Sequence, residues 1–435
     1  MTRERADVVV IGGGPAGATC AADLASAGRS VLLLERTPFP RFHVGESLLP
    51  FMAGLLEQLD LLDHVRRQSY VAKCGAEFTD DTGGFHRVSF DNQGPGRHHC
   101  TFQVERAHFD ELLLAHARAC GARVVNPATV DDVLVEAGRV VGVTFRRGGV
   151  RHEVRAAHVV DASGRSGKVA KRFGLRRAIP GLRMVAVYRH FAGVDEGLNP
   201  GWNGDIQIGS HDAGWVWAIP IWRDTLSVGT VMKKTELADR SPAKVFEDHL
   251  HRIPRIAERL AGARACNDVR VETDYCYFSD QLAGPGWTMV GDAGCFVDPI
   301  FSGGVYLAMV SARKAAATLL RTLAAPAEAD QAWREYQNFY KTGYDSYIRL
   351  IHGFYAQGFD FRKYRAMLAD DVDDRSVALL LSGDFWSPTN AFTRLLRQQR
   401  QWDTFAPYQV YHGCPVYPEL ELSERAASRP LDRAR

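Results

Sequence analysis

The 435-residue chain is long enough for two or three interlocked domains around a large core, and its 46% hydrophobic and 24% charged residues describe an ordinary globular protein. A net charge of +2 gives no reason to expect a nucleic-acid or membrane-surface partner. No signal run precedes the first strand and no apolar stretch reaches ~18 residues, so the expected location is the cytoplasm, off the membrane. Eight scattered cysteines, with no CxxC and no His/Cys pairing at zinc spacing, argue against a disulfide framework or a metal site.

The first predicted unit runs from Val8 to Glu35. Val8–Ile11 reads as a buried strand, Gly12-Gly13-Gly14-Pro15-Ala16-Gly17 as a tight turn, the Ala-rich run to Gly28 as a helix, and Val31–Leu34 as a second buried strand closing on Glu35. This is the dinucleotide-binding βαβ pattern. Gly12 permits the turn, Gly14 lets backbone approach a pyrophosphate, and Gly17 lets helix and strand pack closely. Pro15 and Ala16 open the helix, whose free N–H groups favour phosphate. Glu35 lies about 20 residues beyond the turn, where a carboxylate accepts a ribose hydroxyl.

Arg36 to Arg41 carries two prolines and leads to Glu46 and Ser47. Closeness to the glycine turn gives Arg36, Arg41 and Glu46 a nucleotide-side role, and Ser47 reads as the N-cap of a helix over 48–62. Residues 71–100, with Gly83-Gly84 and Gly94-Pro95-Gly96, predict short strands and turns of an inserted region. Lys73 sits there among small and apolar neighbours; on the residues alone it reads as a surface lysine. Arg106 begins a helix with apolar residues at helical spacing, where it can hold a phosphate or ribityl chain. A strand meander over 130–160 ends at Asp161, at the carboxyl end of a buried strand where open α/β sheets bind ligands.

From Met184 to Met232 the pattern alternates as strands, with Trp215 and Trp217 on one face of Gly214–Pro220. Ser241–Ala261 predicts an amphipathic helix. A second cofactor signal is the strand Trp287–Val290 ending in Gly291-Asp292, then a loop through Asp298-Pro299 and Phe301-Ser302-Gly303-Gly304 into a long helix to Leu323. Small residues at that helix start offer N–H donors to an anion. The chain carries one dinucleotide fingerprint and no second for a nicotinamide cofactor. Residues 331–435 are helical and aromatic, a layer on the sheet or a lid, with a frayed tail after Leu422.

Together the Gly12–Gly17 turn, Lys73 in a Lys-x-Gly setting, Trp215-x-Trp217-x-Ile219-Pro220 and Gly291-Asp292 with its Asp298-Pro299 loop resemble the flavin-dependent halogenases, over roughly residues 5–325. The resemblance implies an α/β fold: a Rossmann-like FAD-binding domain of the flavin monooxygenase type (1–180 and 270–330, with 70–100 inserted), a mixed β-sheet substrate domain (181–269) and a helical C-terminal region (331–435). Within the family the chain is more similar to enzymes acting on phenol or pyrrole groups tethered to carrier proteins. The tryptophan enzymes place a glutamate before Ser-Thr-Gly in the last loop; here that position is Phe301.

The implied activity is chlorination of an electron-rich aromatic ring in natural-product biosynthesis. FADH2 from a separate flavin reductase forms a flavin hydroperoxide, which oxidises chloride held at Ser302, Gly303 and Gly304 to hypochlorous acid. Lys73, across a tunnel walled by Trp215, Trp217 and Phe301, hydrogen-bonds this oxidant or becomes a chloramine. FAD is expected at Gly12, Gly14, Pro15, Ala16, Gly17, Glu35, Arg36, Arg41, Ser47, Arg106, Asp161, Gly291, Asp292, Gly303 and Gly304. An acyl or peptidyl carrier protein bearing the substrate is the expected partner, with Cys74 and Cys295 the thiols nearest the oxidant in sequence. Three alternatives share the pattern: an FAD-dependent aromatic hydroxylase consuming NADPH, a geranylgeranyl-reductase-like oxidoreductase, and a non-catalytic flavin-binding module.

Overall fold

The computed structural model describes residues 4–194, 204–273, 276–368, 370–398, 405 and 408–417. The expected frayed tail lies outside them. Two eight-stranded sheets organise the chain. In the first, Trp287–Met289, Val150–Asp161, Glu4–Ile11, Val31–Leu34 and Arg123–Val125 run parallel in that spatial order. Glu4–Ile11, Val31–Leu34 and Val150–Asp161 each hold a short apolar run buried on both faces, as a parallel sheet covered by helices requires. The hairpin Thr129–Glu136/Arg139–Arg147 adds antiparallel to the long strand Val150–Asp161. The helices Pro15–Ser26 and Gly304–Ala324 pack on each other over this sheet, both rich in alanine where they touch it.

The second sheet is antiparallel through Met184–Ala192, Thr225–Lys233, Gly214–Trp222 and Ile206–His211. It then continues, parallel, into Gly75–Asp80 and ends on Phe85–Ser89. The short strands expected over 71–100 are present, and Gly75–Asp80 and Phe85–Ser89 extend the second sheet by a pairing that spans some 130 residues and leaves no local mark. The helix expected over 241–261 is two, Pro242–Leu250 and Pro254–Arg259, because Pro254 lacks the N–H to continue the first and begins the second. The helix expected over 48–62 is Pro50–Gln58 followed by the short Leu62–Arg66. Its first residue is Pro50, so Leu49 is the N-cap and Ser47 is not.

The C-terminal layer begins with the 28-residue helix Ala329–Ala356. Tyrosines repeat along its buried face and their hydroxyls reach the loop after Trp287–Met289: Tyr336 donates to the Met289 carbonyl at 2.5 Å and Tyr340 to the Gly291 carbonyl at 2.6 Å. The Tyr347 hydroxyl accepts the Gly303 N–H at 2.9 Å. One helix face thus clamps the loop that carries the second cofactor signal. The cysteine expectation needs a correction: Cys74 and Cys100 form a disulfide, while Cys20, Cys120, Cys266, Cys276, Cys295 and Cys414 are free. Their strands Val71–Lys73 and Thr101–Gln103 pair antiparallel, which brings the two thiols together. No helix among the described residues is long and apolar enough to cross a membrane.

Candidate active site

The glycine turn closes as its residue types require. Gly12 has φ +102°, and a Cβ on it would strike the Ala162 carbonyl. A Cβ on Gly17 would collide with the Gly12 carbonyl, so helix and strand touch there. Gly12 lines one side of a cavity of ≈ 440 Å³ together with Gly14, Pro15, Ala16 and Glu35, and Gly17 packs behind them. Arg36, Arg41, Arg106, Asp292 and Gly304 line the remainder.

The charges around this cavity are arranged. Glu35 accepts the Gly13 N–H and the Thr37 N–H, each at 2.7 Å, and so stiffens the turn from the end of its strand. Arg106 is buried with Nε and Nη2 on Asp110 (2.7 and 2.9 Å) and Nη1 on the Val44 carbonyl (2.9 Å). Much of its hydrogen bonding is spent inside the protein, against the expectation of a ligand-holding arginine. Arg41 lies 3.3 Å from the same carboxylate through Nη2, while its buried Nη1 has no hydrogen-bond partner among the described residues. A guanidinium lining a cavity beside a helix N-terminus suits a pyrophosphate. The groups present therefore fit a dinucleotide such as FAD.

Asp161, Gly291 and Gly303 do not line this cavity, whereas Asp292 and Gly304 do. Asp161 is fully buried and accepts the Ser163 N–H (3.0 Å) and the Val169 N–H (2.7 Å), which shapes the turn after its strand. The Gly291 N–H donates to Ser311 Oγ at 3.0 Å. Burial pushes the Asp292 carboxyl up to about 6, against the pull of Arg106, Arg165 and Arg176. Gly303 has given its N–H to Tyr347, whereas the space over Gly304 is open.

Lys73 departs most from its reading as a surface residue. It is 2% exposed, and Nζ donates to Ser47 Oγ and to the Leu48 carbonyl, both at 2.9 Å. The Phe90 ring lies 5.6 Å away. Burial lowers its pKa to about 7, and the Asp205 carboxylate only partly opposes that. Asp205 itself is held by Arg87 Nε at 2.6 Å and the Cys74 N–H at 3.2 Å. Ser47, expected at the cofactor, thus has its hydroxyl on the lysine.

Trp215 and Trp217 are both buried with ring centroids 5.7 Å apart. Trp215 Nε1 donates to the Tyr355 hydroxyl (3.3 Å) and Trp217 Nε1 to Ser227 Oγ (3.2 Å). Phe301 packs into rings of Phe78, Phe354 and Phe361. Ser302 follows with φ +59°. Asp298 is buried, with Oδ2 lacking a partner among the described residues; burial pushes it up to about 7 despite the Tyr355 hydroxyl. Burial pushes the Cys295 thiol up to about 12, so it is no thiolate nucleophile, and Cys74 is already oxidised. Sequence reading missed Asp205 beside Lys73, the tyrosine clamp, and the buried pair of Glu46 with His190 (2.9 Å). Tyrosines at helical spacing were the one local signal.

The sequence profile of the tryptophan halogenase family matches residues 7–100 and 86–358. A tryptophan 2-halogenase of Chondromyces crocatus is 33% identical over 80% of this chain and 67% of its own length. The 1H-pyrrole-2-carbonyl-[peptidyl-carrier protein] chlorinase of Pseudomonas fluorescens is 30% identical over 88% and 90%. Among solved structures, the flavin-dependent brominase Bmp2 superposes with a TM-score of 0.81 at 28% identity, covering 90% of this chain and 97% of that one. These identities do not separate one substrate from another. They do establish that the chain belongs to the flavin-dependent halogenases, oxidoreductases that use FAD and a halide.

Proposed function

We propose that this protein chlorinates an electron-rich aromatic ring, a phenol or pyrrole acyl group carried on an acyl or peptidyl carrier protein, with Lys73 delivering the halogen. The observation that carries the reading is the buried Lys73 amine, held by two oxygen acceptors and depressed to about 7. An amine is a halogen acceptor only when neutral, and desolvation makes a large fraction neutral at ordinary pH. The cavity at Gly12, Gly14, Glu35 and Arg41 supports FAD, with the Arg41 guanidinium the cation for its pyrophosphate. The chemistry supplied by bound, reduced FAD is the oxidation of halide by oxygen to hypohalous acid.

Ser302 and the helix start at Gly304, where a side chain would meet open space, keep the halide role; Gly303 enters it only by releasing Tyr347. Trp215, Trp217 and Phe301 line the path of the oxidant with groups that exclude water. Tethered substrates are favoured because Phe301 stands where the tryptophan enzymes place a glutamate, and because the carrier-protein chlorinase matches along nearly its whole length. A separate flavin reductase supplies the reduced cofactor.

The test is mass spectrometry of carrier protein loaded with pyrrolyl or hydroxyphenyl acyl groups and incubated with the enzyme, FAD, a flavin reductase, NADH, oxygen and chloride. A chloride-dependent exchange of hydrogen for chlorine is the expected result. Gain of an oxygen instead overturns the reading in favour of a hydroxylase.

A further inference from the structure

The three residues Glu46, Ser47 and Leu48 are built onto the same strand as the lysine. Ser47 bridges Gln103, the Leu48 N–H donates to the Phe102 carbonyl at 3.1 Å, and the Glu46 carbonyl accepts the Val104 N–H at 2.7 Å. On its other edge the strand Thr101–Gln103 pairs with Val71–Lys73, placing Lys73 opposite Thr101. The Glu46 side chain, paired with His190 of the second sheet, fixes the tripeptide from a third direction. The Ser47 hydroxyl, the Leu48 carbonyl and the Lys73 amine are thus held by one frame, with little freedom left to lose.

The number of acceptors matters. A neutral amine has two N–H groups and one lone pair, whereas an ammonium has three N–H groups and no lone pair. Among the described residues Nζ meets two acceptors. Both N–H groups of the amine are satisfied; an ammonium has one N–H more than these two acceptors take, at a buried position.

We infer that Ser47 is a positioning residue for halogenation: its hydroxyl and the Leu48 carbonyl engage both N–H groups of a neutral Lys73 amine and leave the lone pair as the one direction open to the halogen. This rests on the reading of Lys73 as the halogen carrier. The lone pair takes the halogen from hypohalous acid: the N–halogen bond forms as the O–halogen bond breaks, and the amine proton leaves with hydroxide as water. Transfer to the ring breaks the N–halogen bond and forms the carbon–halogen bond, and the ring proton restores the amine. The depressed pKa of Lys73 agrees with a substantial neutral fraction near neutral pH.

The experiment compares wild type, Ser47→Ala and Ser47→Thr as full-length, FAD-loaded protein. Three quantities are read: chlorination of the pyrrolyl carrier substrate, FAD affinity, and the pH midpoint of Lys73 acetylation by trace acetic anhydride. A hydroxyl acceptor favours the ammonium more than the amine, so its removal moves the midpoint to lower pH. Ser47→Ala is expected to lose roughly 100-fold in kcat from a misaligned lone pair, with FAD affinity unchanged and Ser47→Thr restoring most of the rate. An unmoved midpoint with wild-type rate overturns the inference, and so does a loss explained by weakened FAD binding. Should Ser47→Ala not fold, Ser47→Cys replaces it, being close in size and a weak acceptor. Full activity in Lys73→Met removes the halogen-carrier reading itself; a Lys73-dependent enzyme indifferent to Ser47 removes only this inference.

Discussion

Burying Lys73 costs the protein stability, and the same desolvation lowers the pKa of its amine. Between its folded pKa of about 7 and its usual value near 10.5 the unfolded chain binds a proton that the folded chain does not. Stability therefore rises with pH across that window, and the full penalty of the buried ammonium stands below about 7. Lys73→Met, similar in length and free of charge, is expected to raise Tm while lowering chlorination by roughly 100-fold or more with FAD still bound. The Tm difference from wild type should be widest on the acid side and narrow as pH rises; thermal melts over a pH series check this, and a constant difference would count against a depressed lysine. None of this was legible locally. The residues flanking Lys73 are small, and its surroundings come from Ser47, Leu48, Phe90 and Asp205, all four separated from it by 17 to 132 positions of chain. Glu35 and the glycines could be read because their reasons lie within one βαβ unit.

At the scale of elements, sequence pattern located the strands better than their partners. The Val/Leu runs of the parallel sheet and the alternation around Trp215 named their own strands, whereas Gly75–Asp80 joins Ile206–His211 by a pairing that nothing nearby announces. Prolines corrected the helices: Pro50 moved a start away from Ser47 and Pro254 divided a predicted helix. The short ladder bearing Lys73 is clipped by Cys74–Cys100, which closes a loop of 26 residues in sequence separation. Thiol titration of the denatured, unreduced protein should therefore count six thiols of the eight cysteines. Reduction should cost on the order of 3 kcal/mol of stability in the chain-entropy account; eight thiols in active protein would remove the clip. The tyrosine face of Ala329–Ala356 carries another consequence. Tyr347→Phe deletes the acceptor of the Gly303 N–H, leaving a buried donor unpaired at a cost of about 1–3 kcal/mol. The same change offers that donor to halide, so the chloride KM should fall even as Tm falls. A lower Tm with an unchanged chloride KM would place Gly303 outside the halide site.

The whole molecule joins one nucleotide cavity to a second sheet by returning the chain to the first sheet after the second is complete. Trp287–Met289 docks parallel to Val150–Asp161 and delivers Asp292 and Gly304 to the cavity begun by Gly12 and Glu35. The loop from Arg41 to Leu48 then spans from that cavity, at Arg41 and His43, to the Lys73 amine, at Ser47 and Leu48. The nucleotide cavity and the buried lysine are thereby joined by one short stretch of chain. The same architecture bears on where electrons enter. The sequence carries a single dinucleotide fingerprint, and its residues are committed to this cavity. A chain so built is expected to consume no NADH or NADPH by itself, even with FAD and substrate present. FADH2 prepared chemically under anaerobic conditions, mixed with enzyme, chloride and the pyrrolyl carrier substrate and then exposed to oxygen, should yield one round of chlorination with no reductase. Substrate-stimulated NADPH consumption by the chain alone would instead require a second nucleotide to reach the flavin, and with it the hydroxylase chemistry that the buried Lys73 argues against.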